Sequence, residues 1–127
     1  MFLKQLTLRD YRNYEQVQMS TSHKVNIIVG PNAQGKTNLV EAIFVLALTK
    51  SHRTSKDKEL IGWNAQSAQL HGEIERKYGL CTLDLTLSSL GKKAKINGLE
   101  QKKLSNFVGA LNVVMFAPED LEIVKGS

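Results

Sequence analysis

The chain has 127 residues, of which 42% are hydrophobic, and its 17 Lys and Arg against 12 Asp and Glu give a net charge of +5. This composition is typical of one globular domain and excludes an intrinsically disordered protein, and no apolar run reaches the ~18 residues of a membrane span. One cysteine and three scattered histidines exclude an internal disulfide and offer no metal cluster. Since the first residues also lack a secretory apolar core, we expect a cytoplasmic protein.

The first 30 residues predict three strands. Leu3, Leu6 and Leu8 begin an alternating strand that turns near Asn13 into a second strand, and residues 24–29 form a third. This third strand is apolar and branched, as a buried strand requires. The apolar run from residue 39 to residue 48 lacks Gly and Pro and predicts a helix that begins near residue 35 and ends at about residue 49.

The segment between this strand and this helix carries the most specific motif of the chain. It fits the pattern G-x-x-x-x-G-K-[ST], and the strand–loop–helix context is the one that this pattern demands. Its residues are Gly30, Pro31, Asn32, Ala33, Gln34, Gly35, Lys36 and Thr37.

The chemistry of phosphate binding accounts for the spacing of the motif. Gly30 and Gly35 permit backbone angles that turn successive N–H groups towards an anion, and the helix adds its unpaired N–H groups and the positive end of its dipole. Lys36 reaches the β- and γ-phosphates, and the hydroxyl of Thr37 binds Mg²⁺. A glycine turn before a basic helix is the alternative. The sequence predicts that the chain binds a nucleoside triphosphate.

The second half of the chain predicts a meander followed by a buried strand. Residues 50–58 form a basic, exposed loop, and residues 68–76 and 80–87 alternate with period two. Asn97-Gly98 predicts a tight hairpin. Further on we expect a short helix over 101–108, a strand over 112–116 and a helix that begins near Pro118.

Some side chains of this half are expected to pack. Cys81 lies in an alternating strand, and this position favours a buried side chain that packs in the core over a reactive thiol. Trp63, Tyr78 and Phe107 are expected to pack against or cover the antiparallel layer rather than to act as stacking platforms.

Much of the positive charge lies between residues 91 and 103. This segment has five lysines against one glutamate. Such a run is either a solvated face or a contact for a polyanion, and charge alone does not decide between them.

Strands on both sides of a phosphate loop, with an antiparallel meander after the loop's helix, do not form a plain alternating βαβ domain. The arrangement predicts an α/β fold, the N-terminal lobe of an ABC/SMC-type P-loop ATPase head over residues 1–127. In such a lobe a mixed sheet holds the phosphate loop and an antiparallel β-layer packs beside it.

Several segments together resemble the RecF family, whose members are bacterial recombination-mediator ATPases related to SMC and Rad50 heads. The resemblance runs along the whole chain in order. The matching segments are Tyr11-Arg12-Asn13-Tyr14, residues 25–43, residues 50–61, the Asn97-Gly98 hairpin and residues 110–127.

The resemblance implies an ATP-dependent DNA-binding protein that forms a homodimer when full length, with ATP and Mg²⁺ as cofactors. It implies recognition of double-stranded DNA and of single-strand/double-strand junctions at gaps, and partnership with RecO and RecR in loading RecA. It also implies roles in recombinational repair, replication restart and SOS induction, with weak DNA-stimulated ATP hydrolysis by the dimer.

The chain departs from the family in one respect. RecF-like proteins continue into a helical arm and a second lobe with the ABC signature segment and the Walker B carboxylates. The sequence is therefore interpreted as an N-terminal part, without catalytic residues of its own and without measurable hydrolysis. Glu119 and Asp120 match a Mg²⁺- and water-sensing loop of related heads, and an acidic helix start explains them nearly as well.

The resemblance also suggests roles for residues outside the phosphate loop. Asn38 extends the start of its helix and is counted with the nucleotide site. Arg12 and Asn13 correspond to a turn near the nucleotide, or else form an exposed hairpin turn. Arg53 matches an arginine loop that links DNA to the ATP site in SMC heads, or else is an ordinary surface arginine. The further candidates for DNA contact are Lys56, Lys92, Lys93 and Lys95.

Two other classes of function remain open. One is a nucleotide-switched platform that binds a partner protein without touching DNA. The other is a transporter-type ATPase subunit, disfavoured because neither an adenine-stacking aromatic residue nor a glutamine loop is evident.

Overall fold

A computed structural model describes residues 2–20, 33–76 and 79–108, with side chains for 3–18, 38–76 and 79–108. Several sequence predictions lie outside these residues: the strands at 24–29 and 112–116, the helix from Pro118 with Glu119 and Asp120, and the side chain of Tyr78. The described elements are β1 (Phe2–Tyr11), β2 (Tyr14–Ser20), α1 (Ala33–Leu48), β3 (Ser67–Arg76), β4 (Gly79–Ser88), β5 (Gly91–Ile96) and β6 (Leu99–Glu100).

The strands form one six-stranded sheet in the order β2-β1-β3-β4-β5-β6. All described pairs are antiparallel, which confirms the predicted antiparallel layer. The Asn97-Gly98 turn between β5 and β6 is also confirmed, since both residues adopt positive φ angles, 52° and 82°. Asn and Gly are the residues that tolerate this conformation, and it is the one that a two-residue hairpin requires.

One face of the sheet is buried and the other is open. Alternation places Leu6 and Leu8 of β1 on the buried face, in register with apolar residues of β3 and β4. α1 packs on this face through Leu39, Ala42 and Leu46. The other members of the core are Leu3, Tyr11, Val45, Ala47, Leu60, Ala68, Leu70, Ile74, Cys81, Leu83, Leu85, Leu87, Ala94 and Phe107.

The helix packs closely on the sheet at Gly72. A Cβ atom at this position would stand 2.5 Å from Cδ2 of Leu46. α1 ends where Thr49 adopts a positive φ of 66° and its N–H still donates to the carbonyl of Val45. No helix in the described part of the chain is long and apolar enough to cross a membrane.

The expectations for packing are met only in part. Cys81 is buried, as predicted, and so is Phe107. Trp63 is not: its side chain is 93% exposed, because it lies in a turn that projects from the sheet rather than on a strand face. The helix predicted over 101–108 reduces to a single 3₁₀ turn at Leu104–Asn106.

Candidate nucleotide-binding site

The phosphate-loop motif runs directly into α1. The helix begins at Ala33, two residues before the predicted start, so the last five residues of the motif form its first turn and the start of the second. The first turn contains no acidic residue. Its N–H groups have no partner within the helix, and with the helix dipole they favour an anion at this end. Gly30, Pro31, Asn32 and the side chains of Lys36 and Thr37 lie outside the described set.

The next turn of α1 carries a buried glutamate that joins three segments of the chain. Both carboxylate oxygens of Glu41 accept from the guanidinium of Arg12, at 2.6 Å from Nε and 2.9 Å from Nη2. The same carboxylate accepts from the hydroxyl of Tyr11 at 2.7 Å and from the hydroxyl of Ser51 at 2.6 Å. Glu41 therefore ties the helix of the phosphate loop to the β1–β2 turn and to the loop that follows α1.

These contacts keep the carboxylate ionised. Burial by itself would raise the pKa of Glu41, but hydrogen bonds from Arg12, Ser51 and Tyr11 and the charge of Arg12 outweigh it and lower the pKa to about 2. The hydrogen bond to Glu41 raises the pKa of Arg12 in turn. Burial, followed by the hydrogen bond to Glu41, raises the pKa of the Tyr11 phenol. At neutral pH the cluster is a carboxylate that accepts hydrogen bonds from one guanidinium and from two hydroxyl groups.

Asn38, one turn before Glu41, makes a second bridge between the same segments. Its Nδ2 donates to Oδ1 of Asn13 at 3.0 Å, and its Oδ1 accepts from Nη1 of Arg53 at 2.9 Å. The same nitrogen of Arg53 lies 3.6 Å from Oε1 of Glu41. The structure thus brings together Arg12, Asn13, Asn38 and Arg53, which the sequence predicted as separate contributors to nucleotide or DNA contact.

The β1–β2 turn is held in an uncommon conformation. Arg12 adopts a φ of 50°, which residues other than glycine rarely do and which costs on the order of 1–3 kcal/mol. Its N–H donates to the carbonyl of Leu60 at 2.9 Å, and its side chain is fixed by Glu41. Because these contacts offset the cost, the turn is not a freely solvated hairpin tip. Whether Arg12 and Asn13 also contact the nucleotide stays a prediction.

Sequence reasoning missed the centre of this cluster. Glu41 is the one charged residue in the apolar run from 39 to 48 and lies three residues after Asn38, which places both on one helix face. That isolated charge was the available signal. Tyr11 and Ser51 carried no comparable signal, since a tyrosine at a strand end and a serine in a loop are ordinary residues.

The predicted DNA candidates divide between two faces. Alternation along β5 turns Lys92 towards the loop after α1, where its Nζ lies 3.6 Å from Asp57 and borders a groove with Arg53. Lys93 and Lys95 are exposed on the open face of the sheet, in a groove shared with Arg9. Lys56 is exposed in the loop between α1 and β3.

The sequence predicts one metal ligand, for Mg²⁺, and the structure describes its surroundings only in part. Among residues 3–18, 38–76 and 79–108, no three His, Cys, Asp or Glu side chains come together as a metal site. The Mg²⁺ ligand expected from the sequence is the hydroxyl of Thr37, and that expectation stays a prediction.

Comparisons with known proteins agree on one relationship. Residues 2–109 match the family described as RecF/RecN/SMC N terminal domain. The chain is 56% identical over its whole length to the DNA replication and repair protein RecF of Bacillus cereus (strain G9842) and covers 34% of that relative. The chain therefore spans about a third of the length of the curated relatives it matches.

Solved structures show the same likeness. A structure of the recombination mediator protein RecF with ATPrS, from the RecFOR pathway, superimposes with a TM-score of 0.84 at 32% identity. It covers 99% of this chain and 34% of that protein. The SMC head domain from Thermotoga maritima superimposes with a TM-score of 0.65 at 25% identity, over 84% of this chain and 40% of that one.

These likenesses confirm the predicted fold class, a P-loop ATPase head of the ABC/SMC type. The chain belongs to the RecF/RecN/SMC N-terminal domain family.

Proposed function

We propose that residues 1–127 are the nucleotide-binding N-terminal lobe of a DNA repair ATPase and bind ATP with Mg²⁺ through Gly30–Thr37 and Asn38. The observation that carries the proposal is the passage of the phosphate-loop motif into α1, whose first turn offers N–H donors and no acidic residue. Two similar proteins support it, since solved structures of RecF are described with ATP and with ATPrS.

The cluster around Glu41 gives the site its support. Phosphate binding depends on holding the loop and the helix N-terminus in a fixed geometry, because a preorganised site does not have to be ordered by the ligand. Asn38 and Glu41 fix the next turns of α1 against two other segments. Through Arg53, the same cluster connects the helix of the phosphate loop to the groove that Lys92 borders. We assign DNA contact to the other basic surface, the open face of the sheet with Lys93 and Lys95.

The names of the relatives support a role for the longer protein. The curated relatives are called DNA replication and repair protein RecF. We propose that this chain serves in recombinational repair, replication restart and SOS induction, acting at gapped or junction DNA. In this proposal the full-length protein is an ATP-dependent homodimer that works with RecO and RecR to load RecA. Slow, DNA-stimulated hydrolysis belongs to that dimer, in which a carboxylate orients the water and a partner subunit opposes the γ-phosphate.

The DNA part of the proposal is tested by the salt dependence of binding. Each lysine that neutralises a phosphate of duplex DNA contributes roughly −0.9 to the slope of log K against log salt. We expect Lys93→Gln/Lys95→Gln to weaken binding of a gapped duplex and to flatten this slope by about 1.8. Fluorescence anisotropy over a salt series measures both quantities.

Lys92→Gln is the matched control. Lys92 is a neighbour on the same strand, but its ammonium already faces Asp57 at 3.6 Å, so its loss changes the slope less. Unchanged binding by the double variant at every salt concentration would show that the open sheet face does not contact DNA. The nucleotide-switched platform would then be the better description.

A further inference from the structure

The turn that carries Trp63 is held by two backbone hydrogen bonds. Its ends are joined by a hydrogen bond from the N–H of Ala65 to the carbonyl of Gly62 at 3.0 Å, and the N–H of Gly62 donates to the carbonyl of Asp10 at 2.6 Å. A Cβ atom at Gly62 would stand 2.9 Å from that carbonyl oxygen, so the turn lies directly on β1. Trp63 is therefore presented on a fixed backbone and not on a loose loop.

A second exposed apolar residue lies at the same end of the sheet. Leu90 is 97% exposed at the turn between β4 and β5, and its N–H donates to the hydroxyl of Ser88 at 3.2 Å. Between the two turns is a groove of about 520 Å³, lined by Ile61 and Ala65 on one side and by Ser88 and Ser89 on the other. We call Trp63, Leu90 and this groove the Trp63 surface.

A partner that covers Trp63 gains a large hydrophobic contribution to its binding free energy. A tryptophan buries about 150–250 Å² when it is covered, and at about 25 cal/mol per Å² this is a large term for one residue. Because the turn is already ordered, covering Trp63 costs little backbone entropy. Tryptophans of this kind dominate many protein–protein interfaces.

The neighbouring residues identify the type of partner. An exposed tryptophan near a lysine also suits an unpaired nucleobase, which stacks on aromatic rings. Leu90 favours a protein, because a nucleic acid would leave this leucine without an apolar contact. Lys58 lines the groove and supplies a positive charge at its rim. The complementary ligand is an apolar segment with a carboxylate beside it.

We propose that the Trp63 surface is the docking site for a partner protein, which inserts an apolar segment between Trp63 and Leu90 and places an acidic residue next to Lys58. The choice of partners to test rests on the function proposed above.

The composition of the chain provides a direct probe. Trp63 is its one tryptophan, so the chain labelled with 5-fluorotryptophan gives a single ¹⁹F resonance that reports on this surface. The labelled chain is titrated with unlabelled RecR, with unlabelled RecO and with a single-stranded oligonucleotide. We expect RecR or RecO to shift or broaden the resonance and the oligonucleotide to leave it in place.

Variants distinguish specific docking from nonspecific hydrophobic binding. We expect Leu90→Ser and Lys58→Glu each to weaken the titration by about tenfold or more. Leu99→Ser is the matched control, since Leu99 is a 70% exposed leucine in the β5–β6 hairpin outside the groove, and it should bind normally. No shift with either protein, a shift with the oligonucleotide alone, or equal loss in the Leu99 variant each overturns the proposal. ATP binding and the salt slope, measured on the same samples, show separately whether the proposed function holds.

Discussion

Replacing Glu41 with alanine is expected to lower the free energy of unfolding by about 3–5 kcal/mol, a large part of the stability of a small domain. The Glu41 side chain is fully buried and that of Arg12 is 21% exposed, so the substitution leaves a mostly desolvated guanidinium without its countercharge. It also leaves the buried hydroxyl of Tyr11 without an acceptor. Urea denaturation followed by circular dichroism measures the change.

Glu15→Ala is the control for this prediction. Glu15 is an exposed glutamate on β2, and surface substitutions of this kind usually change stability by less than about 0.5 kcal/mol. If Glu41→Ala also changes the free energy of unfolding by less than about 0.5 kcal/mol, the cluster does not hold the three segments together.

The ionised state of Glu41 predicts a dependence on pH. A carboxyl whose pKa is lower in the folded protein stabilises the fold above its unfolded value and loses this contribution as the pH falls through the folded value. For Glu41 the window extends from 4.5 down to about 2. The stability difference between the wild type and Glu41→Gln should therefore be constant above pH 4.5 and shrink below it. A difference that grows on acidification would contradict the assignment.

The strands were predictable because their burial alternates in the sequence. Leu6 and Leu8 on β1, and the leucines of β4, recur every second residue where one face meets a core and the other is open. The same alternation separates Lys92 from Lys93, yet charge density alone suggested one basic surface. Period-two geometry, applied to the lysines as well as the leucines, would have divided them correctly.

The cluster around Glu41 was not predictable because it depends on tertiary contacts. Arg12 and Arg53 are distant in sequence from each other and from Asn38 and Glu41, and only the packing of α1 against the sheet brings both arginines to the same helix face. Trp63 was wrongly expected to pack, since a large apolar residue is usually buried. The available signal was its two neighbours, Gly62 and Asn64, because Gly and Asn are common turn residues and Trp63 is the second residue of a turn closed by Gly62 and Ala65.

The central claim is that the phosphate loop binds a nucleotide, and replacing Lys36 should have the largest effect on that activity. At about 4 Å and an effective dielectric near 20, one lysine–phosphate pair is worth roughly 4 kcal/mol before desolvation. If half or more of this remains after desolvation, Lys36→Ala binds ATP roughly thirtyfold to a thousandfold more weakly. We expect the fold to be retained, because the hydrogen bonds to Glu41 come from Tyr11, Arg12 and Ser51.

Isothermal titration calorimetry with Mg²⁺ and ATP is the measurement that tests this claim most directly. Lys50→Ala is the matched control, since Lys50 is an exposed lysine just beyond the other end of α1, about 20 Å away along the helix. The account predicts that the wild type and Lys50→Ala bind ATP alike and that Lys36→Ala shows little or no heat of binding. Equal binding by all three would contradict it and would place the nucleotide elsewhere.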